Sequence, residues 1–229
     1  MRHRTILLFA LAFTLTANAQ TYSFRYQDNG FTDYGDVQIY KWDADNSIGS
    51  TGTINYNENF LLIRFGGVDI PPGLYHFDLQ FNIASVADPG TITAYKLNDS
   101  NWSDPGSILN PPSTSSDFPT WSHVNYNSRA WSVPGVVGGA EIEQSIGSAY
   151  VSATGARSIG SATASIESAT DFAFVLTMDK NATLFVKETA ANNTQLPMLV
   201  FTLIEAYGEA YRRGGLDWNC IFRPYQSLR

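Results

Sequence analysis

The chain has 229 residues, a formal net charge of −7, and nearly as many aromatic residues (14%) as charged ones (15%). Between Gln20 and Glu205, eight Lys and Arg stand against nineteen Asp and Glu, a formal charge of −11. A domain with this negative charge repels polyanions, and the sequence shows no basic stripe. Nucleic acid and anionic membrane surfaces are therefore excluded as expected partners.

The N-terminus has the pattern of an export signal. Basic Arg2 and Arg4 precede the apolar run Ile6–Leu15, which is shorter than the roughly 20 residues that span a bilayer. Small residues at Ala17 and Ala19 predict cleavage after Ala19. We therefore expect residues 1–19 to be a signal peptide, the protein to be secreted, and no membrane span after cleavage. The alternative, a membrane anchor, would need a longer apolar run.

Residues 20–205 show repeated strand patterns. In Leu74–Ile83, aromatic and aliphatic residues alternate with polar ones, which is the period of a strand with one buried face. Further candidates are Val37–Lys41, Phe60–Phe65, Thr91–Leu97, Phe172–Met178, Thr183–Lys187 and Met198–Ile204. Turns rich in Pro, Gly and Asp separate them. The pattern predicts an all-β fold: a single antiparallel β-sandwich, jelly-roll-like, over residues 20–205.

Two segments lack a clear period. Residues 147–169 are rich in Ser, Ala, Gly and Thr, which is compatible with thin edge strands, a short helix or a flexible loop. Residues 206–229 predict a loosely ordered C-terminal tail. The one cysteine of the sequence, Cys220, lies in that tail, so we expect no disulfide inside the domain.

Three groups of motifs follow one another between about residue 22 and residue 204. The first group is Asp36-Val37-Gln38-Ile39, Ser47-Ile48-Gly49-Ser50, Leu61-Leu62-Ile63-Arg64-Phe65 and Ile70-Pro71-Pro72-Gly73. The second group is Tyr95-Lys96-Leu97, Trp102-Ser103-Asp104-Pro105-Gly106, Trp121 and Trp131-Ser132-Val133-Pro134-Gly135. The third group is Phe172–Met178, Leu184-Phe185-Val186-Lys187-Glu188 and Leu196-Pro197-Met198-Leu199-Val200.

In this order the motifs resemble the DNRLRE domain, also called the disaggregatase-related repeat and grouped with the family ninety-six carbohydrate-binding modules. The resemblance implies an extracellular β-sandwich that binds polysaccharide. Because that family includes disaggregatase-type proteins, it also implies an alternative, a polysaccharide-degrading enzyme. The shortage of Lys and Arg disfavours anionic, alginate-type glycans as the ligand.

Aromatic side chains are the first candidates for contact with a sugar, because flat π faces stack on the C–H-rich faces of pyranose rings. Three tryptophans flank Pro-Gly turns, and polar or cationic residues lie near them in sequence. The predicted carbohydrate-binding residues are Trp121, Tyr126, Arg129, Lys96, Trp102 and Trp131. For Trp102 and Trp131 the alternative is packing of loops onto the sandwich.

Arg64 lies inside the apolar strand Leu61–Phe65, where a guanidinium needs a partner. We expect an ion pair with Asp36 or Asp69, with ligand contact as the alternative.

The acidic residues raise two further alternatives. The pairs Asp33/Asp36 and Glu141/Glu143 permit a glycosidase hypothesis, in which two carboxylates lie about 5–10 Å apart. Asp43, Asp45 and Asn46 could ligate a structural calcium ion, although a solvated turn fits their spacing better. We expect no catalytic residues and no other cofactor.

The leading hypothesis is a secreted, non-catalytic protein whose partner is a polysaccharide or cell-surface glycan. A structural or adhesive component of a cell envelope or extracellular matrix, with self-association, is the first alternative. A polysaccharide-degrading enzyme is the second.

Overall fold

Two six-stranded antiparallel sheets form the molecule in a computed structural model, which describes residues 20–42, 47–48, 52–56, 58–104, 118–126 and 128–206. The strands are β1 (Thr21–Arg25), β2 (Tyr34–Tyr40), β3 (Ser47–Ile48), β4 (Thr53–Ile54), β5 (Asn59–Val68), β6 (Gly73–Val86), β7 (Gly90–Leu97), β8 (His123–Asn125), β9 (Arg129–Ala130), β10 (Ile142–Val151), β11 (Gly155–Ile166), β12 (Thr170–Met178), β13 (Ala182–Leu184) and β14 (Met198–Ala206). Two short 3₁₀ helices span Asp28–Gly30 and Asn193–Gln195.

The strand order is that of a jelly roll. One sheet runs β1-β14-β6-β11, with β13 and β4 continuing beside the far end of β6. The other runs β10-β7-β12-β5-β2-β3, and β8 and β9 form a separate hairpin. From β5 to β7 and again from β10 to β14 the long strands alternate between the two sheets, whereas β7 and β10 pair within one sheet. The predicted antiparallel, jelly-roll-like sandwich is confirmed.

The main core lies between the two sheets. Strand β6 shows why: Tyr75, Phe77, Leu79, Phe81 and Ile83 are all at most 1% exposed, as their alternation predicts. The Phe77 ring is central, with edge contacts to neighbouring rings at centroid distances of 5.6 to 6.2 Å. Aromatic packing of this kind stabilises the sandwich without a disulfide.

A second core lies on the outer face of the sheet that contains β5 and β12. Residues 98–141 connect β7 to β10, and the described parts of this connection cover that face. Trp102, Val124, Trp131 and Val136 pack there against residues of β2, β5 and β12. The connection therefore turns one sheet into a middle layer with apolar side chains on both faces.

The segment 147–169 forms strands, so the edge-strand alternative is the one that the structure supports. It contains the end of β10 and all of β11, which lie at the outer edges of the two sheets. Each strand has a register shift, between Ser145 and Gly147 and between Ile159 and Ala162. Bulges of this kind twist an edge and oppose pairing with another chain.

The predicted elements differ from the structure mainly at their ends. The segment predicted as Thr183–Lys187 is a strand only over β13, which ends at Leu184. The predicted signal peptide lies outside the described residues, as does the tail beyond Ala206. None of the helices in the described part of the chain has the length and hydropathy needed to cross a bilayer.

Candidate functional site

Arg64 is held near the end of β5 by two carboxylates. Its Nη2 pairs with Asp33, and its Nη1 lies 3.5 Å from Asp171 Oδ2. The prediction that Arg64 forms an ion pair with Asp36 or Asp69 was wrong. Arg64 points to the outer face of its sheet, whereas Asp36 shares the opposite face with Tyr34, which belongs to the main core.

Glycine is required beside this ion pair. A Cβ atom at Gly66 would lie 2.1 Å from Asp33 Oδ2 and 2.7 Å from Arg64 Nη1. The next residue, Gly67, has a φ of +58° and donates its N–H to Asp171 Oδ1 at 2.7 Å. The Gly-Gly pair after Arg64 therefore makes room for the guanidinium and orients Asp171.

Residues 98–104, which we call the wall segment, run over the same end of the sheet. Ser100 Oγ donates to Asp171 Oδ2 at 3.2 Å, which ties the segment to the start of β12. Asn125 of β8 donates its side-chain amide to the Asn101 carbonyl oxygen at 2.7 Å, and Arg129 of β9 pairs with Asp99. The hairpin thus holds the wall segment from the other side.

Two adjoining hollows open along the wall segment, and together we call them the polar groove. The first has a volume of about 360 Å³ and is lined by Arg64, Ser100, Asn101, Trp102, Ser103, Asn125 and Asp171. The second has a volume of about 490 Å³ and is lined by Lys96, Leu97, Asn98, Ser100, Glu143, Ala169, Thr170 and Asp171. Ser100 and Asp171 belong to both, so the groove is continuous and its lining is mainly polar.

Two N–H groups at the first hollow lack an acceptor within the described residues. They are Arg64 Nε and Trp102 Nε1, both inaccessible to solvent. An unsatisfied buried donor costs on the order of 1–3 kcal/mol. Because water reaches neither atom, the two groups lie beneath the lining of the hollow and not on its surface.

Trp102 and Trp131 are only 3% and 4% exposed, so neither offers a face for stacking. This corrects their assignment as stacking residues and supports the alternative, that they pack loops onto the sandwich. The two indoles still differ: Trp131 Nε1 donates to the Thr120 carbonyl oxygen at 2.8 Å, while Trp102 Nε1 has no acceptor among the residues that the structure describes, and Trp102 lines the groove.

The other four predicted residues are spread around the groove. Trp121 is half-buried against Phe60, with ring centroids 5.0 Å apart. Lys96 lines the second hollow, where its ammonium pairs with Glu143. Arg129 is exposed at the edge of the groove, and Tyr126 follows groove-lining Asn125 in the chain. The structure brings Lys96, Trp102 and Arg129 to one region and leaves Trp121 and Trp131 in the second core.

The acidic pairs have other partners. Asp33 pairs with Arg64, and Asp36 is fully buried. Glu141 accepts hydrogen bonds from the N–H and Oγ of Ser132 at 2.8 and 2.6 Å, and Glu143 pairs with Lys96. Burial of Glu141 opposes its charge, but the bonds from Ser132 lower the pKa of its carboxyl overall.

Asp43, Asp45 and Asn46 lie outside the described residues, so calcium binding there stays a prediction. In the described ranges, no group of three or more His, Cys, Asp or Glu side chains is arranged to hold a metal ion.

Sequence reasoning missed Asp171, Asn101 and Asn125 as groove residues. Asp171 comes directly before the apolar run of β12, a position where a carboxylate reaches a sheet end, but nothing local connects it to Arg64, 107 residues away. It also missed Trp42 and Tyr56, whose side chains are 77% and 57% exposed. They lie at one end of the sandwich, since Lys41 N–H bonds to the Glu58 carbonyl oxygen.

No family model matches the sequence, and no curated protein matches it. The resemblance to the DNRLRE domain therefore stays a prediction. Among solved structures, the chain is similar to the C-terminal CBM6 of LamC, a marine laminarinase from Zobellia galactanivorans, with 12% identity. The TM-score is 0.28, over 80% of this chain and 99% of that chain. A TM-score this low identifies neither a fold nor a ligand.

Proposed function

We propose that the chain is a secreted, non-catalytic β-sandwich protein that binds polysaccharide in the polar groove. The observation that carries this proposal is the groove's lining: hydroxyls, side-chain amides and paired charges converge there. The resemblance to a family of carbohydrate-binding modules and the N-terminal export pattern agree with it.

The lining fits the chemistry of sugars. Sugar hydroxyls both donate and accept hydrogen bonds, so they can meet the carboxylate of Asp171, the hydroxyl of Ser103 and the amide of Asn101. The Asn101 N–H donates to Asp99 Oδ1 and its carbonyl oxygen accepts from Asn125, while its side chain is exposed.

Charge favours a neutral glycan over an anionic one. Arg64 is shared between Asp33 and Asp171, and Lys96 pairs with Glu143, so both cations of the groove are already neutralised. The surrounding domain is strongly acidic. A uronate would have to displace these carboxylates and enter a repulsive field.

Affinity electrophoresis of the full chain tests the proposal. Ser103 is exposed and lines the groove, whereas Ser148 is exposed on β10 away from it. We expect neutral polysaccharides to retard the wild type and Ser148→Trp, and Ser103→Trp to abolish that retardation by filling the groove. Unchanged migration of the wild type in every polysaccharide gel would overturn the binding proposal.

The non-catalytic part of the proposal is tested separately. Each retarding glycan is incubated with the protein and assayed for new reducing ends and for unsaturated uronates. We expect neither product. Release of either one would support the alternative of a polysaccharide-degrading enzyme.

A structural or adhesive component of an envelope or matrix is the second candidate, and Trp42 and Tyr56 favour it. Two aromatic side chains more than half exposed at one end of the sandwich offer apolar contact area. Light scattering over a range of concentrations measures self-association. Under this alternative the wild type associates, and a Trp42→Ser, Tyr56→Ser double variant remains monomeric.

A further inference from the structure

A cluster of acidic groups surrounds one ammonium beside β2. Lys187 Nζ pairs with Asp104 and lies 3.6 Å from Glu188 Oε1, and its main-chain N–H donates to Asp36 Oδ2 at 3.0 Å. The side chain of Asp104 is 7% exposed, and Asp36 is fully buried. The rings of Tyr26 and Tyr34 border the cluster, with the Lys187 ammonium 5.9 Å from the Tyr26 centroid. The arrangement holds a nearly buried aspartate in contact with a partly buried lysine, whose side chain is 26% exposed.

The cluster holds more negative than positive charge. Burial, reinforced by the charges of Asp104 and Glu188, raises the pKa of Asp36 well above its usual range. Burial and Asp104 likewise raise the pKa of Glu188. Asp36 Oδ1 and Glu188 Oε2 have no hydrogen-bond partner among the described residues. Burial opposes the charge of the Lys187 ammonium, but its hydrogen bond to Asp104 and the surrounding carboxylates raise its pKa overall, so the ammonium is held against the Asp104 carboxylate as an ion pair.

We propose that Lys187 and Asp104 are joined in the folded protein by an amide bond that the chain forms itself. The ammonium of Lys187 gives one proton to the Asp104 carboxylate that it contacts, and the resulting neutral amine attacks Cγ of that carboxyl. The C–N bond forms, and Asp36, whose raised pKa favours its protonated form, gives its proton to the departing hydroxyl and takes a second proton from the nitrogen in return, so that the C–O bond breaks and water leaves. Ammonium plus carboxylate thus yield an amide plus one water, with no oxidant, reductant or co-reactant.

Geometry and electrostatics distinguish this pair from the other lysine–acid pair of the groove region. Lys96 also contacts a carboxylate, but the side chain of Glu143 is 42% exposed, whereas that of Asp104 is 7% exposed. Solvent stabilises the Glu143 carboxylate, so desolvation does not favour condensation at that acid. The Lys96–Glu143 pair is therefore an internal control for the Lys187–Asp104 pair.

The bond would fasten the wall segment. Asp104 ends that segment, and Lys187 follows β13 in the opposite sheet, so the amide would link parts of the chain 83 residues apart across the sandwich. The only cysteine of the chain cannot make an internal disulfide. An isopeptide bond would supply the covalent constraint in its place.

Tryptic mapping of the denatured full chain by mass spectrometry tests the bond, independently of any glycan. We expect one branched peptide that joins residues 97–129 to residues 181–212, lighter by one water than the sum of its parts, because trypsin does not cleave after an acylated Lys187. We expect Lys96 to be cleaved normally. Recovery of separate, full-mass peptides from the wild type would overturn the proposal.

Two variants test the assigned roles. In Lys187→Arg the branched peptide should be absent, because guanidinium is not a nucleophile at neutral pH. In Asp36→Asn, which keeps an oxygen to accept the Lys187 N–H, we expect the branched fraction to fall from nearly complete to undetectable. A bond that still forms in Asp36→Asn would overturn the role of Asp36 in proton transfer.

Discussion

The side-chain amide of Asn125 donates a hydrogen bond to the main-chain carbonyl oxygen of Asn101 at 2.7 Å. Together with the Arg129–Asp99 ion pair, this contact ties the β8–β9 hairpin to the wall segment beside the polar groove. It connects two pieces of chain that sheet pairing does not join.

The first prediction concerns this contact. Asn125→Ala should lower the free energy of unfolding by about 1 kcal/mol, the usual net value of one hydrogen bond. Urea denaturation followed by tryptophan fluorescence measures the change. Asn101→Ala is the matched control, because it keeps the accepting carbonyl group. Equal losses in the two variants would contradict the assignment.

The second prediction compares the two buried indoles. Trp131→Phe removes the donor to Thr120, whose carbonyl oxygen is then left buried without that partner. Trp102→Phe removes an N–H that has no acceptor within the described residues. We expect Trp131→Phe to be the more destabilising change, by about 1–2 kcal/mol. Thermal unfolding measured by circular dichroism gives both values, and the reverse order would contradict the hydrogen-bond assignment.

The third prediction concerns a turn in the second core. Gly135 has a φ of +81°, and a Cβ there would lie 2.6 Å from the Trp121 ring. Gly138 has a φ of +86°, with nothing within 4 Å of such a Cβ. Gly138→Ala should cost about 1 kcal/mol for the backbone alone. Gly135→Ala should cost at least about 2 kcal/mol more, because the packed ring must also move. Chemical denaturation measures the free energy of unfolding of both variants. Similar losses in the two would contradict the packing of Trp121 against Gly135.

The fourth prediction is a pH dependence at Glu141. The bonds from Ser132 lower the pKa of Glu141 below its ordinary value of 4.5, although burial opposes its charge. A lowered folded-state pKa gives stability that is present above pH 4.5 and lost as the pH falls through the folded-state pKa. Glu141→Gln should therefore destabilise the protein by less than about 1 kcal/mol at pH 7, since the group is largely exposed. Denaturation curves measure the free energy of unfolding of both proteins. The wild type and the variant should differ at pH 7, and the difference should shrink at pH 3.

The fold was predictable where each strand has one apolar face. The alternation in β6 defined its buried side chains, because every inward residue there is large. The sequence left strand, helix and loop open for β11, because an edge strand buries few large side chains. Its buried Ile159 and Ile166 are separated by small residues. The sequence Ser-Ile-Gly-Ser occurs at 145–148 and at 158–161, which is where β10 and β11 shift register. The local sequence alone does not reveal that the pairing shifts there.

The candidate site was predictable only in part. Arg64 was recognised as a guanidinium that needs a partner, but Asp33 and Asp171 lie 31 and 107 residues away, on elements that only the folded sheet brings together. The tryptophans beside Pro-Gly turns were predicted to stack on sugar, with packing of loops onto the sandwich as the alternative, and the burial of Trp102 and Trp131 supports that alternative for these two. Whether such rings face solvent or a second core depends on how the connection between β7 and β10 folds back, which no local pattern fixes.

Strand β1 pairs antiparallel with β14, so that Thr21 lies opposite Thr202 and Arg25 opposite Met198. The chain therefore enters and leaves the sandwich at neighbouring points, at the same end as Gly73 of β6. A mechanical load applied through the two chain ends would open this pair like a zipper, one hydrogen bond after another, rather than shearing all of them together. The domain would yield first at β1, the edge strand of its sheet, while the strands that carry the polar groove remained paired.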